Sequence, residues 1–463
     1  MSRPSSLRGR ALTYVRSQTA PVDPLDLFDR ASGVYHDRVF WERPDEDLAI
    51  VGLGAAWAFT AAGAAPVMEA AAAWRSDLYD AVNADTFGDG VPWGAGPLAF
   101  GGFAFTPRGD HSGAAASYWD GFPSGKIVVP ELTVSRAGRE TWVTRAVMVP
   151  PGEGPAAHTT DEMERLANLL GEAPALYRPG ADSSTLRAPL AVQESPAGEW
   201  WKEAVRRAGT AARDGIFTKV VLARSLKVDG VRLNAPQVLR RLRAGYPGCT
   251  LFAVATGDRC FLGATPERLI RLRGGEVRTV AIAGSARRGA AADEDRRLGE
   301  DLRTNPKDRL EHAVVVDVLK DVMAEVCAGV AAPAEPELLR VANVQHLATP
   351  IAGRLRESLS VLDLVERLHP TPAVGGFPRH AALQWIRQHE DLDRGWYAGP
   401  IGWINQAGEG EFAVAIRSAV MRGAEAVLFA GCGIVAGSDP DQEYAESVLK
   451  MRPLLEALGA TGG

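Results

Sequence analysis

The sequence predicts an α+β fold with mainly antiparallel β-sheets. Short segments rich in β-branched and apolar residues are joined by short turns, and they do not alternate steadily with helices as they would in a parallel sheet. No internal repeat is visible. Of the 463 residues, 46% are apolar and 23% are charged, which is typical of a globular protein with a substantial core.

The first half of the chain is predicted to be rich in strands. An uncharged stretch over residues 49–68 is long enough to span a membrane, but it consists largely of Ala and Gly, which supply little transfer free energy, and it contains Pro66. We therefore expect a buried strand over 49–53, a turn at Gly54 and an Ala-rich helix towards Tyr79. Further strands are expected over 97–105 and 126–132.

The chain is expected to divide near residue 190. Segments 150–156 and 174–189 are rich in Pro, Gly, Ser and Ala, which is typical of loops. Residues 1–20 are Arg-rich and Ser-rich at their start, which is compatible with a transit peptide and equally with a flexible N-terminal tail, the interpretation adopted. The predicted parts are thus a tail (1–20), an N-terminal lobe (21–190) and a second region (191–463).

The second half has stronger signals. Asn305 followed by Pro306 marks a helix start, because Asn caps the first turn and Pro is tolerated there. Hydrophobic periodicity places the remaining elements. Helices are expected over 200–213, 291–303, 307–327, 379–389 and 440–458, and strands over 216–225, 250–256, 260–263, 269–272, 277–283, 396–404, 411–419 and 426–430.

Composition excludes several functions. The net charge of −6 gives no basic surface for nucleic acid or for an acidic membrane. The four cysteines form no CxxC pair, so the sequence predicts neither a zinc ribbon nor a disulfide framework, and it fits a reducing cytoplasm. A small-molecule substrate is the remaining expectation.

Carboxylates in pairs are the first chemical signal. Glu443 and Glu446 lie three residues apart on the last predicted helix, and Asp308 and Glu311 repeat this spacing on another, so each pair shares one helix face. A solvated helix face would give the same spacing. Oxygen ligands without His or Cys partners favour Mg²⁺ if the cluster binds a metal.

Charged residues inside apolar strands are the second signal. Lys219 could lie at a strand edge with its amine in water, or be buried and serve as a general base. Glu267 could cap a turn, or donate a proton from an apolar site. Arg417 requires an anion if it is buried, and Lys450 follows Glu446 by one helical turn.

Ten segments of the second half, in order, resemble one known family, the chorismate-utilising enzymes, which include isochorismate, salicylate, anthranilate and aminodeoxychorismate synthases. The segments are KVVLAR (219–224), TPERL (265–269), IAGSARRG (282–289), KDRLEH (307–312), HLATPI (346–351), HPTPAVGGFP (369–378), GPIGW (399–403), AIRSA (415–419), FAGCGIV (429–435) and EYAESVLK (443–450).

This resemblance implies one two-lobed fold of two packed antiparallel sheets flanked by helices, with chorismate as substrate and one Mg²⁺. Lys219 is similar to the Lys of members that use water, whereas ammonia-using members carry Gln there, and Ala283 replaces the nucleophilic Lys of aminodeoxychorismate synthases. Ala373 resembles the Ala of isochorismate-forming members, where pyruvate-releasing lyases tend to have Thr. The resemblance therefore favours isochorismate synthase.

The resemblance also implies roles for individual residues. Lys219 is the expected base and Glu267 the expected acid. The expected metal ligands are Glu311, Glu443 and Glu446. Substrate contacts are expected from Gly284, Ser285, His346, Thr349, Ala373, Arg417, Cys432, Gly433 and Lys450.

Two alternatives remain at this point, a salicylate synthase and a non-catalytic chorismate-binding protein. An isochorismate synthase could serve menaquinone or siderophore synthesis, and the sequence does not select between them. The resemblance further implies a cytoplasmic monomer with no obligatory glutamine amidotransferase subunit, no nucleic acid and no membrane partner.

Overall fold

Two antiparallel sheets are each assembled from both halves of the chain. The computed structural model describes residues 11–19, 21–61, 63–79, 92–107, 118–149, 191–230 and 234–460. The strands are β1 (Ala11–Thr19), β2 (Asp37–Arg43), β3 (Leu48–Leu53), β4 (Trp57–Ala61), β5 (Leu98–Phe103), β6 (Gly125–Val129), β7 (Leu132–Ala137), β8 (Glu140–Val149), β9 (Ala191–Ser195), β10 (Lys219–Asp229), β11 (Thr250–Thr256), β12 (Arg259–Thr265), β13 (Arg268–Arg273), β14 (Glu276–Arg287), β15 (Cys327–Ala331), β16 (Glu337–Arg340), β17 (Val344–Leu355), β18 (Gly376–Phe377), β19 (Pro400–Asn405), β20 (Gly410–Val414), β21 (Ser418–Arg422) and β22 (Glu425–Ile434).

Sheet A has twelve strands and sheet B has ten. Sheet A runs β1-β8-β7-β3-β2-β11-β12-β21-β22-β10-β18, with β9 also beside β10. Sheet B runs β15-β17-β14-β13-β20-β19-β5-β6-β4, with β16 also beside β17. The helices within the described residues are α1 (Pro24–Arg30), α2 (Pro66–Ala73), α3 (Gly198–Arg213), α4 (Ala235–Gly245), α5 (Ala292–Thr304), α6 (Pro306–Val326), α7 (Val361–Leu368), α8 (Arg379–His389) and α9 (Pro440–Leu458).

The main core fills the space between the sheets. Trp41 and Phe252 of sheet A share one buried cluster with Phe100, Trp403 and Phe412 of sheet B. Burying each of these side chains contributes roughly 1.5–3 kcal/mol or more. A second cluster lies on the other face of sheet A, beneath α1, α4 and α9. The α+β class and the two packed antiparallel sheets are therefore confirmed.

Three predicted elements are wrong because of tertiary pairing. The helix expected directly after Gly54 is preceded by β4, which pairs with β6 at the edge of sheet B despite its alanines. The strand expected over 126–132 divides at Pro130 into β6 in sheet B and β7 in sheet A. The strand expected over 411–419 also divides, into β20 in sheet B and β21 in sheet A.

Sheet A joins β2 and β3 of the first half to β11 of the second, so strands from both sides of residue 190 share one sheet. Within the segment expected to be a tail, β1 pairs along its length with β8. Residues 1–10 and the expected linker over 150–190 lie outside the described residues. Among the described residues, no helix is both long enough and apolar enough to cross a membrane.

Candidate active site

A cavity of about 690 Å³, counting its open mouth, collects most of the residues singled out from the sequence. Its walls come from β10 and β22 of sheet A, from β14 and β17 of sheet B, and from α6 and α9. The predicted residues that line it are Lys219, Glu267, Gly284, Ser285, Glu311, His346, Ala373, Arg417, Gly433, Glu446 and Lys450.

Capped helix starts place Glu311 and Glu446 in the cavity wall and Glu443 beside it. The Asn305 side chain accepts hydrogen bonds from the backbone N–H groups of residues 307 and 308 at the start of α6. Asp439 does the same for residues 441 and 442 at the start of α9. Glu311, Glu443 and Glu446 therefore lie in the first two turns, near the positive ends of the helix dipoles, where negative charge is favoured.

The Lys219 ammonium and the Glu311 carboxylate form an ion pair with Nζ 2.8 Å from Oε1. The Lys219 side chain is 1% exposed, so the charge needs this partner. Gly433 of β22 makes the contact possible, because a Cβ there would lie 2.4 Å from Glu311 Oε1 and 2.6 Å from Lys219 Cε. The sequence left open whether Lys219 is buried or has its amine in water, and the structure shows that it is buried.

A second ion pair joins Lys450 and Glu446, whose Nζ and Oε1 atoms lie 2.6 Å apart. Lys450 also donates to the carbonyl of Gly431 at 2.8 Å. Burial opposes charge on both groups, but the contact holds the pKa of Glu446 below its usual range and that of Lys450 above it. Both side chains therefore remain ionised inside the protein.

Glu267 is the acid in an apolar position. Its side chain follows β12, lines the cavity and is buried, and no described residue donates a hydrogen bond to its carboxyl group. Burial raises the pKa of Glu267 to about 7, although the positive charges of Lys219, Arg417 and Lys450 act in the opposite direction. Near neutral pH the carboxyl group can hold a proton and release it.

His346 of β17 is neutral and oriented. Burial and the nearby charges of Arg417 and Lys450 lower the pKa of His346 to about 3. Arg417 Nη2 lies 3.4 Å from His346 Nε2, and because a guanidinium can only donate, the ring proton is assigned to Nδ1. Nδ1 lies 3.2 Å from the Gly284 carbonyl and 2.9 Å from Ser285 Oγ. The ring is thus fixed from both ends.

Arg417 stands at the point where the chain passes from sheet B to sheet A, between β20 and β21. Its φ of 50° lies in the left-handed region, which costs a non-glycine residue roughly 1–3 kcal/mol. Burial lowers the pKa of Arg417 from its usual value. No carboxylate of the described residues forms an ion pair with it, so its charge is available to a ligand.

Three predicted site residues are buried beside the cavity without lining it. Thr349 Oγ1 lies 2.8 Å from His312 Nε2, on the side of β17 that faces α6. Cys432 donates to the Glu443 carbonyl at 3.2 Å, because strand alternation turns it away from the face that its two glycine neighbours present. Glu443 accepts from Lys307 at 2.8 Å, joining α6 to α9. These contacts support the cavity wall, and the substrate contacts of Thr349 and Cys432 stay predictions.

Sequence reasoning missed other residues of the site. Tyr397 and Arg394 line the cavity, and they precede the GPIGW segment in the run RGWYAG, whose buried Arg and Tyr were the available signal. Asp308 was noted only for its helix spacing. Burial and the neighbouring Glu311 raise the pKa of Asp308 to about 6.

The carboxylates fit a divalent cation in type and charge. Burial and the charge of Glu446 raise the pKa of Glu443, so negative charges crowd one another at the starts of α6 and α9. All of the acidic groups offer oxygen atoms, as Mg²⁺ requires. In the conformation described, Glu311 and Glu446 each contact a lysine, and no three His, Cys, Asp or Glu side chains of the described residues are arranged to hold an ion.

Comparison with known proteins identifies the class. The chain matches the family described as "Chorismate binding enzyme" over residues 5–459, and it therefore belongs to that family. It is 39% identical to the "Salicylate biosynthesis isochorismate synthase" of Pseudomonas aeruginosa over 447 residues, covering 96% of this chain and 89% of the relative. It is 37% identical to "Isochorismate synthase MenF" of Bacillus subtilis over 453 residues, covering 97% and 93%.

A solved structure has the same fold. The menaquinone-specific isochorismate synthase MenF of Escherichia coli superposes with a TM-score of 0.77 at 28% identity, covering 97% of this chain and 95% of that one. The resemblance stated from the ten segments is therefore confirmed at the level of the family and extends across both halves of the chain.

The ion pair of Lys219 and Glu311 should depend on the missing side chain at residue 433. In Gly433→Ala, the added methyl group must displace one partner, and we expect an Nζ–Oε1 separation above 4 Å in a crystal structure and a loss of about 1–3 kcal/mol in unfolding free energy. Gly437→Ala is the control, because no atom lies within 4 Å of the added Cβ. An intact ion pair in Gly433→Ala would contradict the steric argument.

Proposed function

We propose that the protein is an isochorismate synthase, an isomerase that converts chorismate to isochorismate with Mg²⁺. The observation that carries this proposal is a buried lysine and a buried protonatable glutamate, Lys219 and Glu267, lining one cavity. Relatives that match this chain over nearly its whole length carry that name.

Lys219 and Glu267 divide the proton transfers. Lys219 takes a proton from a water molecule that attacks ring C2, the double bonds shift, and Glu267 protonates the departing 4-hydroxyl group. Lys219 must lose its own proton before it can act as a base. Because the pKa of Glu267 is about 7, its carboxylate can take up a new proton from solvent after each turnover.

The remaining cavity residues orient the substrate. Arg417, which has no carboxylate partner among the described residues, and Lys450 bind the enolpyruvyl carboxylate, with backbone N–H groups near Gly284 and Gly433. Neutral His346 contacts the ring edge or orients the reacting water. Ser285 reaches the same His346 nitrogen and holds the ring in place.

Glu311 and Glu446 would hold Mg²⁺, with Glu443 acting directly or through water. When bound, the cation supplies positive charge for the ring carboxylate of the substrate. Because a water nucleophile needs no ammonia supply, we also propose that the protein works without a glutamine amidotransferase subunit, as a monomer in the cytoplasm. Menaquinone and siderophore synthesis both use isochorismate, and the proposal covers either pathway.

The product distinguishes this proposal from its alternatives. A salicylate synthase would release pyruvate and fluorescent salicylate from chorismate, and a non-catalytic binding protein would leave chorismate unchanged. Ala373 in the cavity wall supports stopping at isochorismate, in line with the family resemblance. Chromatography of the products after incubation with chorismate and Mg²⁺ is the direct test.

Replacing the base should abolish turnover. Lys219→Ala is expected to lower kcat for isochorismate formation by about 10²- to 10⁴-fold, the usual contribution of general base catalysis. Lys227→Ala is the matched control, because Lys227 lies on the same strand, pairs with Glu425 and Asp229, and is not part of the cavity. A Lys219→Ala enzyme with near wild-type kcat would rule out the assigned base.

The protonation state of Glu267 should determine how kcat/KM depends on pH. Glu267 must be protonated to donate, and since its pKa is raised to about 7, kcat/KM for chorismate should fall as pH rises above about 7. Glu267→Gln should lose about 100-fold or more in kcat and should lack this descending limb. The profiles are measured by product formation between pH 5.5 and 9. A variant affected only in KM would contradict the acid role.

Metal removal should be reversible. We expect a chelator to abolish isochorismate formation and added Mg²⁺ to restore it. Glu446→Gln should raise the Mg²⁺ concentration for half-maximal activity by about tenfold or more, because it removes one carboxylate charge. Glu456→Gln on the same helix should leave it unchanged, since Glu456 is paired with Arg452 at the surface. Full activity in the chelator would refute the metal requirement.

A further inference from the structure

The strand that begins with Lys219 lacks a strand partner along part of one edge. On this edge, β18 pairs only with Lys219 and Val220, and β9 pairs only with residues 225–229. Between these two strands, the Val221 N–H donates to the Gly375 carbonyl at 3.1 Å, which leaves the Val221 carbonyl and the Ala223 N–H without a backbone partner. Backbone groups left unpaired inside a protein cost about 1–3 kcal/mol each, so something must satisfy them.

A buried ion pair fills this gap. Arg394 Nη2 donates to the Val221 carbonyl at 2.7 Å, and the Ala223 N–H donates to Glu390 Oε2 at 2.8 Å. Arg394 and Glu390 are joined to each other by two hydrogen bonds, of 2.6 Å and 2.7 Å. The pair thus offers β10 one donor and one acceptor, as a neighbouring strand would.

The same guanidinium also reaches the loop between α7 and β18, which lies beside β10. Arg394 Nη1 donates to the Val374 carbonyl at 3.0 Å, next to Ala373 in the loop that follows α7. The Phe105 ring lies beneath the guanidinium, with its centroid 4.2 Å from Cζ. A lysine could not make these contacts, because its single ammonium lacks the planar fork.

We propose that Arg394, held by Glu390, is a positioning residue that fixes the start of β10, and therefore Lys219, relative to the Ala373 loop. This inference rests on the proposed function and adds a residue to it. Arg394 is not assigned a contact with substrate: four of its five N–H groups are directed at Glu390, Val221 and Val374. Its charge is neutralised by Glu390, so it contributes orientation and not binding.

The test is a comparison of kcat with KM. Arg394→Lys keeps the charge and loses the fork, and we expect kcat to fall about 10- to 100-fold with KM within about threefold of wild type. Glu390→Gln retains an acceptor for the Ala223 N–H and should lose less, about three- to tenfold. A rise in KM with unchanged kcat would show direct substrate binding and would overturn the positioning role.

Arg243→Lys is the control for a general loss of stability. Arg243 also joins two carboxylates, Glu42 at 2.7 Å and Asp23 at 2.6 Å, but it does not line the cavity. Its replacement should lower the unfolding midpoint with kcat unchanged. If Arg243→Lys reduced kcat as much as Arg394→Lys, the effect would be one of stability, and the proposal would be wrong.

Hydrogen exchange separates this proposal from the proposed function. In Arg394→Lys, the amides of residues 219–224 should exchange at least about tenfold faster than in wild type, with β11 unchanged, whether or not the protein is active. Unchanged protection of this segment would overturn the positioning role. If the wild-type protein formed no isochorismate from chorismate, only the proposed function would be refuted, because the exchange measurement needs no substrate.

Discussion

The cavity depends on the ion pair between Lys219 and Glu311, because two charges this deeply placed are tolerated only together. Removing one partner of a buried pair typically costs about 3–5 kcal/mol. Three separate features of the chain converge on this contact: the start of β10, the capped first turn of α6, and the absent side chain of Gly433. The glycine is therefore needed here for space and not for backbone freedom. Lys450 and Glu446 repeat the arrangement from α9, so the cavity holds matched charges before any ligand enters.

Both sheets are required to complete the site. Sheet A contributes Lys219 through β10, and sheet B contributes His346 through β17. The chain crosses between the sheets at Arg417, where packing on either side offsets the conformational cost of the left-handed backbone. Among the described residues, none of the first half lines this cavity, yet that half supplies Trp41, Phe100 and the strands beside them, which fix the distance between the sheets. The N-terminal half thus acts through packing.

The sequence predicted those helices and strands whose ends are determined by residues close by in the chain. Helices 379–389 and 440–458 and strand 250–256 have the predicted bounds, since periodicity and caps such as Asp439 are properties of neighbouring residues. It did not predict β17, although the HLATPI segment was singled out, nor the sheet crossings at Pro130 and Arg417, because these are decided by partners far away in the chain. The same limit applies to the site. The sequence predicts substrate contacts from both Cys432 and Gly433, but which side of β22 faces the cavity, and which lysine meets which glutamate, are decided by tertiary structure.

The pairing of charged side chains within the cavity explains how an acidic protein can bind an acidic ligand. The chain carries a net charge of −6, so its overall field repels a dicarboxylate. Inside the cavity, Lys219 and Lys450 are cancelled by Glu311 and Glu446, and Arg394 is cancelled by Glu390. Arg417 is left without an ion-pair partner among the described residues, and its Nη2 lies 3.4 Å from Nε2 of the neutral His346 ring. A buried guanidinium without a counter-charge is unfavourable, and one carboxylate of a ligand would remove that cost. The position of Arg417, and not the global balance, therefore determines where an anion binds.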